Sequence, residues 1–279
     1  MCNTPLFHHI CRESYNQPRA VYDRLKRLGM NLVTVTDHDS VGAAEELRRF
    51  PDFFSSVEIT CYTPGGGELH AGVYDLDERQ HIELQRRAAD LMSMLAYLSE
   101  QRLFFSVNHA FSALTGRRAA SDFELFEDRF PAVEILNGQM PGLSNRAAGL
   151  LAARSGKAPL AGSDAHTMRS LGSAYTEVPG ARNKREFLDG LRCGRGVVHG
   201  TSGDFGRLTQ AVWEIGLSLM REKGWAVVFA PLLAVVPLVT LAHSLHERRF
   251  AKKWMLRSGL AQSGPTVWLG RPGAEITSA

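Results

Sequence analysis

An α/β fold of the (β/α) barrel kind is predicted by three observations. Short β-branched or apolar runs alternate with helix-spaced apolar stripes along most of the chain, a rhythm produced by parallel strands with helices outside them. Several of these runs end in His, Asp or Glu, and the C-terminal ends of strands are where α/β proteins carry their chemistry. Hairpin signals are few, although the interval between Glu58 and His70 is too short for a helix and makes the barrel irregular.

In chain order, residues 1–18 are loop, bracketed by Pro5 and Pro18. Val21, Leu25 and Leu28 share a helical spacing over 19–28, and Gly29 stops it. A strand follows at 32–36, whose run Leu32-Val33-Thr34-Val35 delivers Asp37-His38-Asp39 at its end. A plainer account stays open for that motif, an Asp turn in which Ser40 caps the helix of 43–50. The strand at 56–61 holds Glu58 between Val57 and Ile59. Alternation puts such a carboxylate toward solvent in an ordinary sheet and inward in a barrel, where a charge needs a partner or a metal. Pro64-Gly65-Gly66-Gly67 turns the chain into a strand at 68–74 that carries His70.

The stripe Ile82, Leu84, Ala88, Leu91, Leu95 and Leu98 predicts one long core-packed helix over 78–101. A strand at 103–107 ends in Asn108-His109. A polar loop and a short helix at 121–129 lead to a strand at 132–136, with Glu134, taken as structural, inside it. After a helix at 143–155, the segment 159–161 ends in Gly162-Ser163-Asp164-Ala165-His166. Strands at 174–178 and 196–198 flank a helix at 183–192.

With 279 residues, 44% of them hydrophobic, the chain can bury a sizeable core as one large domain or one domain plus an appendage. A formal charge of +3 is too small to argue for a stable nucleic-acid complex. Cys2, Cys11, Cys61 and Cys193 form no CxxC pair, which excludes a zinc knuckle and a dithiol redox motif. Reduced thiols in a cytoplasmic protein account for them. The first fifteen residues lack the apolar run of a signal peptide.

The informative pattern is the set Asp37, His38, Glu58, His70, His109, Glu134, Asp164 and His166, all at or near strand ends. Nitrogen and oxygen donors without thiolate suit divalent metal ions such as Zn, Mn or Fe, and carboxylates can bridge two of them. Asp164 and His166, one residue apart, can each reach a different ion.

Taken together, Thr36-Asp37-His38-Asp39-Ser40, the isolated Glu58, His109 in its Asn-His-Ala-Phe setting and Gly162-Ser163-Asp164-Ala165-His166 resemble the PHP (polymerase and histidinol phosphatase) family. Within it the chain resembles the stand-alone bacterial phosphoesterases, from near residue 5 to near residue 205. The resemblance implies a distorted (β/α)7 barrel, up to three metal ions, and hydrolysis of a phosphate ester of a small molecule or nucleotide. It implies that Glu58 bridges two ions, Asp164 binds the first, His70 and His109 hold the second, and His38 and His166 bind the third. Asp37 and His38 are its catalytic pair, with Asp37 orienting a ligand histidine. Arg117 and Arg118, in the loop after His109, are the candidate phosphate contacts, or are simply solvated.

One departure from the family stands out. Its opening strand ends in His-x-His, whereas His8 and His9 here are adjacent and would point to opposite faces of a strand. The domain at 1–205 is therefore expected to lack its first strand, through a misplaced start, a fragmentary gene or real decay. Weakened activity follows from that expectation.

Beyond this domain the expected order is a linker or helix at 206–224, an apolar, membrane-associated segment at 225–245, and a basic, poorly ordered tail at 246–279. From 225 to 242 the only non-apolar side chain is Thr240, and as a helix the run spans about 27 Å. Arg248, Arg249, Lys252, Lys253 and Arg257 follow it, and carrying them outward opposes the positive-inside tendency. A kinked helix or re-entrant hairpin on the cytoplasmic face and a buried helix of a soluble domain both remain open. Two functions follow: a metal-dependent phosphoesterase, or a non-catalytic remnant serving as a membrane-associated binding or scaffold module.

Overall fold

The structure, a computed structural model, describes residues 14–260. His8, His9 and the expected absence of a first strand concern the N-terminal part of the chain outside those residues. Five strands make the main sheet in sequential order: β1 (Ser56–Tyr62), β2 (Glu68–Tyr74), β3 (Phe104–Asn108), β4 (Ala132–Asn137) and β5 (Ala158–Gly162). β2 is antiparallel to both β1 and β3, and β3, β4 and β5 run parallel to one another. The mixed direction has a plain cause. The Gly-rich turn at 64–67 is short enough to make a hairpin, whereas parallel neighbours need a crossover. Helix α5 (Ala120–Arg129) lies between β3 and β4, and α6 (Gly142–Ser155) between β4 and β5.

The expected barrel does not close. A separate antiparallel pair, β6 (Ala174–Glu177) and β7 (Val197–Gly200), stands beyond β5. The Thr176 hydroxyl meets both the Ala161 N–H at 2.7 Å and the Ala161 carbonyl at 3.1 Å. A side chain thus occupies backbone groups that a ladder would use. At the other edge, the expected strand at 32–36 is reduced to parallel bridges, Val33 with Phe53 and His38 with Glu58. There the Thr34 hydroxyl donates to the Phe54 carbonyl at 2.7 Å and interrupts the pairing in the same way.

Helices α1 (Pro18–Arg27), α2 (Gly42–Leu47), α3 (Glu78–Arg87), α4 (Leu91–Glu100) and α7 (Lys184–Arg192) follow the expected stripes with one correction. The long helix at 78–101 is two, because the Asp90 carboxylate accepts the backbone N–H groups of Met92 and Ser93 and starts α4 afresh. The main core lies on one face of the sheet: Val57, Ile59, Leu69, Ala71, Val73 and Val107 are fully buried against Leu84, Met94, Leu98 and Phe126.

After α8 (Phe205–Glu222) the chain returns as a 3-10 helix, Gly224–Val235, that continues into α9 (Val236–Arg257). The expected tail begins within α9, and α9 is packed where the tail was to be loose. Ala251, Trp254 and Leu260 are buried in the main core, with Trp254 5.6 Å from the Phe123 ring. Leu260 sits just beyond the helix, and residues 261–279 lie outside the described part.

Trp254→Ala should remove about 3–5 kcal/mol of stability, as for other buried aromatic truncations, read by urea denaturation of the full-length chain. A loss under about 1 kcal/mol, the range of surface sites, would mean that α9 is not part of the fold.

Candidate metal centre

Because side chains alternate along a strand, the register defines a second, polar face of the sheet. Glu58 stands opposite Gly72, and Gly72 opposite Ser106; Thr60 stands opposite His70, and His70 opposite Asn108. Gly72 is the gap in this face: a Cβ there would lie 2.7 Å from the Tyr74 hydroxyl and 2.9 Å from Ser106 Oγ. The space left by its missing side chain lets a hydrogen-bonded line form. Tyr74 and Ser106 hydroxyls are 3.1 Å apart, Ser106 donates to Asn108 Oδ1 at 2.7 Å, and Asn108 Nδ2 donates to Glu58 Oε1 at 3.3 Å.

Three histidines gather on the buried Glu58 carboxylate. His109 Nε2 is 3.0 Å and His70 Nδ1 3.4 Å from Oε1, and the two ring nitrogens are 3.2 Å apart. His38 Nε2 faces the other oxygen, Oε2, at 3.9 Å. The motif carrying His38 is pinned to β1, since the Asp37 carbonyl accepts the Glu58 N–H and the Asp39 carboxylate accepts that of Thr60. The plainer account of this motif holds in part, because the Ser40 hydroxyl accepts the Gly42 N–H, although Val41 is the residue that caps α2.

The electrostatics follow from burial and pairing. Burial alone would raise the Glu58 carboxyl, but hydrogen bonds from His109 and His70 hold it well below its usual range. Burial opposes charge on His70, and the carboxylates of Glu58 and Glu68 outweigh it, pushing the imidazole up to about 10. His109 moves up for the same reason, against burial and through Glu58. Glu68 holds His70 Nε2 at 3.1 Å. A carboxylate on the far nitrogen of a histidine is the outer support that metal-ligating imidazoles use.

A divalent ion fits these residues. Nitrogen ligands at about 2.0–2.1 Å in a tetrahedron lie about 3.3 Å from one another, and the separations here are 3.0, 3.2 and 3.4 Å. His38, Glu58 and His70 also each offer an atom within 4.8 Å of the other two. His109 Nδ1 is buried without a hydrogen-bond partner among the described residues.

Asp164 and His166 form a neighbouring pair and are not part of that compact group. His166 Nδ1 lies 3.0 Å from the Asp164 carbonyl and 3.6 Å from its Oδ1. Asn137 Nδ2 joins the pair to the first cluster by donating to Asp164 Oδ2 at 3.1 Å and to Glu134 Oε2 at 3.0 Å. Glu134 in turn accepts the His109 N–H at 2.9 Å. Burial pushes the Glu134 carboxyl up to about 7; the Asp164 charge adds to the shift, and His109 opposes it. Glu134 was taken as merely structural, yet it orients His109, and Gly162 leaves room for it, since a Cβ there would lie 2.8 Å from Glu134 Oε1. Asp39, His109 and Asp164 all have positive φ, 54°, 29° and 47°, the strained backbone that concentrates at functional sites.

Sequence reasoning missed Glu68, Asn108 and Asn137. For Glu68 the signal was present, because residues 68 and 70 of one strand share a face. The two amides face the site only through the folding of separate strands. The arginines divide. Arg117 is exposed, whereas Arg118 is buried and donates to the Glu68 carbonyl and, at 2.7 Å, to Thr115 Oγ1. Its guanidinium braces the loop and is turned away from any phosphate in solvent, which corrects its expected role.

Residues 142–195, from α6 to the turn after α7, match the family model described as PHP-associated. Over that stretch the resemblance to the PHP family holds. PsfC from Pseudomonas syringae PB-5123 shares the fold, with a TM-score of 0.54 at 16% identity over 75% of this chain and 93% of that one. A candidate metal-dependent phosphoesterase from Bifidobacterium adolescentis aligns with a TM-score of 0.44 at 13% identity, covering 68% of this chain and 93% of that one. The lesion-specific endonuclease PfuEndoQ from Pyrococcus furiosus aligns with a TM-score of 0.46 at 16% identity, over 63% and 52% of the two chains. No curated protein matches the chain in sequence.

The raised imidazole makes a checkable statement about the metal-free chain. His70 should stay protonated well above pH 6.5 and titrate near pH 10, followed by imidazole 15N shifts after chelation. A folded pKa above the unfolded value means that the stabilisation is complete below about pH 6.5 and is lost as pH rises toward 10. The melting temperature of the chelated chain should fall across that window, and His70→Gln should flatten the fall. A His70 that titrates near 6.5 would contradict the ion-pair description.

Proposed function

We propose that the chain is a metal-dependent phosphoesterase acting on a phosphorylated small molecule or nucleotide. The observation that carries this reading is the meeting of His70 Nδ1 and His109 Nε2 on one oxygen of the buried Glu58, at ligand-to-ligand spacings. His70, His109 and Glu58 would hold one ion, and His38, on the opposite carboxylate oxygen, would contribute to a second. Asp164 and His166 would complete the set from the end of β5. Bound Zn, Mn or Fe would supply the Lewis acidity that lowers the pKa of water and offsets charge on phosphoryl oxygens.

The chain's own residues do the positioning. Glu68 fixes the His70 ring from its far side, Glu134 fixes the His109 backbone, and Asn108 orients Glu58. Asp37 is the candidate orienting carboxylate of the first motif. Arg117, exposed in the loop after His109, is the cation available to a phosphate. Glu58→Gln and Asp164→Asn should each lower metal-dependent hydrolysis of an aryl phosphate or a 5′-nucleotide by about 100-fold or more. Metal binding without turnover of any phosphate ester by the parent chain would instead favour a non-catalytic binding module.

For location, we infer contact with the cytoplasmic face of a membrane. Gly224–Arg257 is the one helical stretch among the described residues long and apolar enough to cross a bilayer. Its first half is bare: Val228 is 72%, Leu238 67% and Leu232 61% exposed. It folds back along α8, with Trp213 Nε1 donating to the Leu233 carbonyl at 2.7 Å and the Thr209 and Thr240 hydroxyls 2.7 Å apart. Exposed Arg221 before it and Arg248, Arg249, Lys252 and Lys253 in its second half, beyond the apolar run, suit anionic headgroups on either side of that run. The hairpin form supports lying on the surface over crossing it. The full-length chain should float with vesicles containing phosphatidylserine, and Val228→Asp/Leu232→Asp should stay behind. A parent chain that does not float would dismiss lipid contact, and equal flotation of the two proteins would place that contact outside the exposed apolar run.

A further inference from the structure

Glu247 is 1% exposed, a carboxylate on α9 buried against the loop that follows His109. Its Oε2 accepts the Ala113 N–H at 2.9 Å, and its Oε1 lies 3.3 Å from the Ser112 hydroxyl, which donates, and 3.6 Å from His243 Nε2. The two bonds to the loop join residues more than a hundred positions apart. Burying a carboxylate is costly, so a device that spends one on two loop donors calls for an account beyond holding a helix down.

The loop supplies that account, since both of its ends lead to the metal centre. In one direction the Ser112 N–H donates to the His109 carbonyl at 2.8 Å. In the other, Thr115 Oγ1 donates to the Ser112 carbonyl at 2.8 Å, Arg118 Nη2 donates to Thr115 Oγ1, and Arg118 Nη1 donates to the Glu68 carbonyl. Glu68 is the residue that holds the far nitrogen of His70. Ser112 is therefore the branch point of a hydrogen-bonded line running to two histidines, and Glu247 fastens it. His109 itself sits at φ 29°, a conformation that persists only where neighbours impose it.

We propose that Glu247 is a positioning residue for the metal centre, acting through the 112–118 loop on His109 and, by way of Arg118 and Glu68, on His70. The C-terminal helix is then a working part of the site. This inference rests on the reading of His70 and His109 as metal ligands, and its test separates the two.

The test compares the full-length parent with Glu247→Gln, Glu247→Leu and Ser112→Ala. Gln keeps an acceptor for the Ala113 N–H and should behave as the parent. Leu fills the space without an acceptor and should weaken Zn affinity about 10-fold or more, the size of effect known for outer supports of metal ligands. Ser112→Ala, a small change that should fold even if Glu247→Leu does not, should weaken it several-fold. Hydrogen exchange of the metal-free proteins adds a readout that needs no metal: peptides covering 109–118 and 68–72 should exchange faster in Glu247→Leu and Ser112→Ala, and at the parent rate in Glu247→Gln. Parent-like exchange in those peptides for both Glu247→Leu and Ser112→Ala would overturn the proposal. So would a lowered melting temperature with unchanged Zn affinity, the mark of a staple for α9 alone. If His109→Ala binds Zn as tightly as the parent, the ligand assignment fails; the exchange result still decides whether Glu247 orders the loop.

Discussion

The structure depends on one buried carboxylate. Glu58 is the third residue of β1, with its charge out of water, a cost of several kcal/mol unless it is matched. Its match is local and dense: His109 and His70 on one oxygen, His38 near the other, and Asn108 completing the set. Protons on the imidazoles balance this charge in the metal-free chain, and a divalent ion held between them would balance it instead, so that binding it would release protons. The polar face of the sheet is arranged around this. Gly72 gives up its side chain to make room, Glu68 backs the His70 ring, and Glu134 holds His109 by its backbone.

Both edges of the main sheet end in the same manner. At one edge the Thr34 hydroxyl takes the Phe54 carbonyl; at the other, the Thr176 hydroxyl takes the Ala161 backbone groups. Each β-branched residue satisfies the backbone groups of a strand edge while preventing a regular neighbour from forming there. The open sheet that results still delivers three polar motifs to one region, because His38, His109 and Asp164 follow segments that run in the same direction across the sheet and so end on the same side of it. Positive φ at Asp39, His109 and Asp164 turns the chain sharply at those points.

The C-terminal helix has two unlike halves. Its apolar start, with the 3-10 helix before it, is mostly exposed apart from small residues such as Ala226 and Thr240, while its charged second half buries the larger side chains, Glu247 and Trp254, together with Ala251. Polarity along the sequence thus ran opposite to burial. The long apolar run is the exposed part, and the basic stretch conceals a narrow stripe that packs on α5 and α6 through Trp254 and Ala251. Basic side chains on the remaining positions are free to stay in solvent.

By itself the sequence determined the α/β alternation, the bounds of most strands to within a residue or two, and the histidines and carboxylates that would stand at strand ends. These are local properties, carried by periodicity, turn residues and the motifs behind the PHP resemblance. Only the tertiary structure decided that β1 to β3 are antiparallel, that the barrel stays open, and that the helix at 78–101 breaks at Asp90. It also decided that Arg118 is a brace, that Glu134, Glu68, Asn108 and Asn137 belong to the site, and that Glu247 reaches the His109 loop. The physical reason is common to all of these. Which groups a buried charge or an unpaired backbone donor will find depends on packing across strands and helices far apart in the chain, and no local spacing encodes that distance.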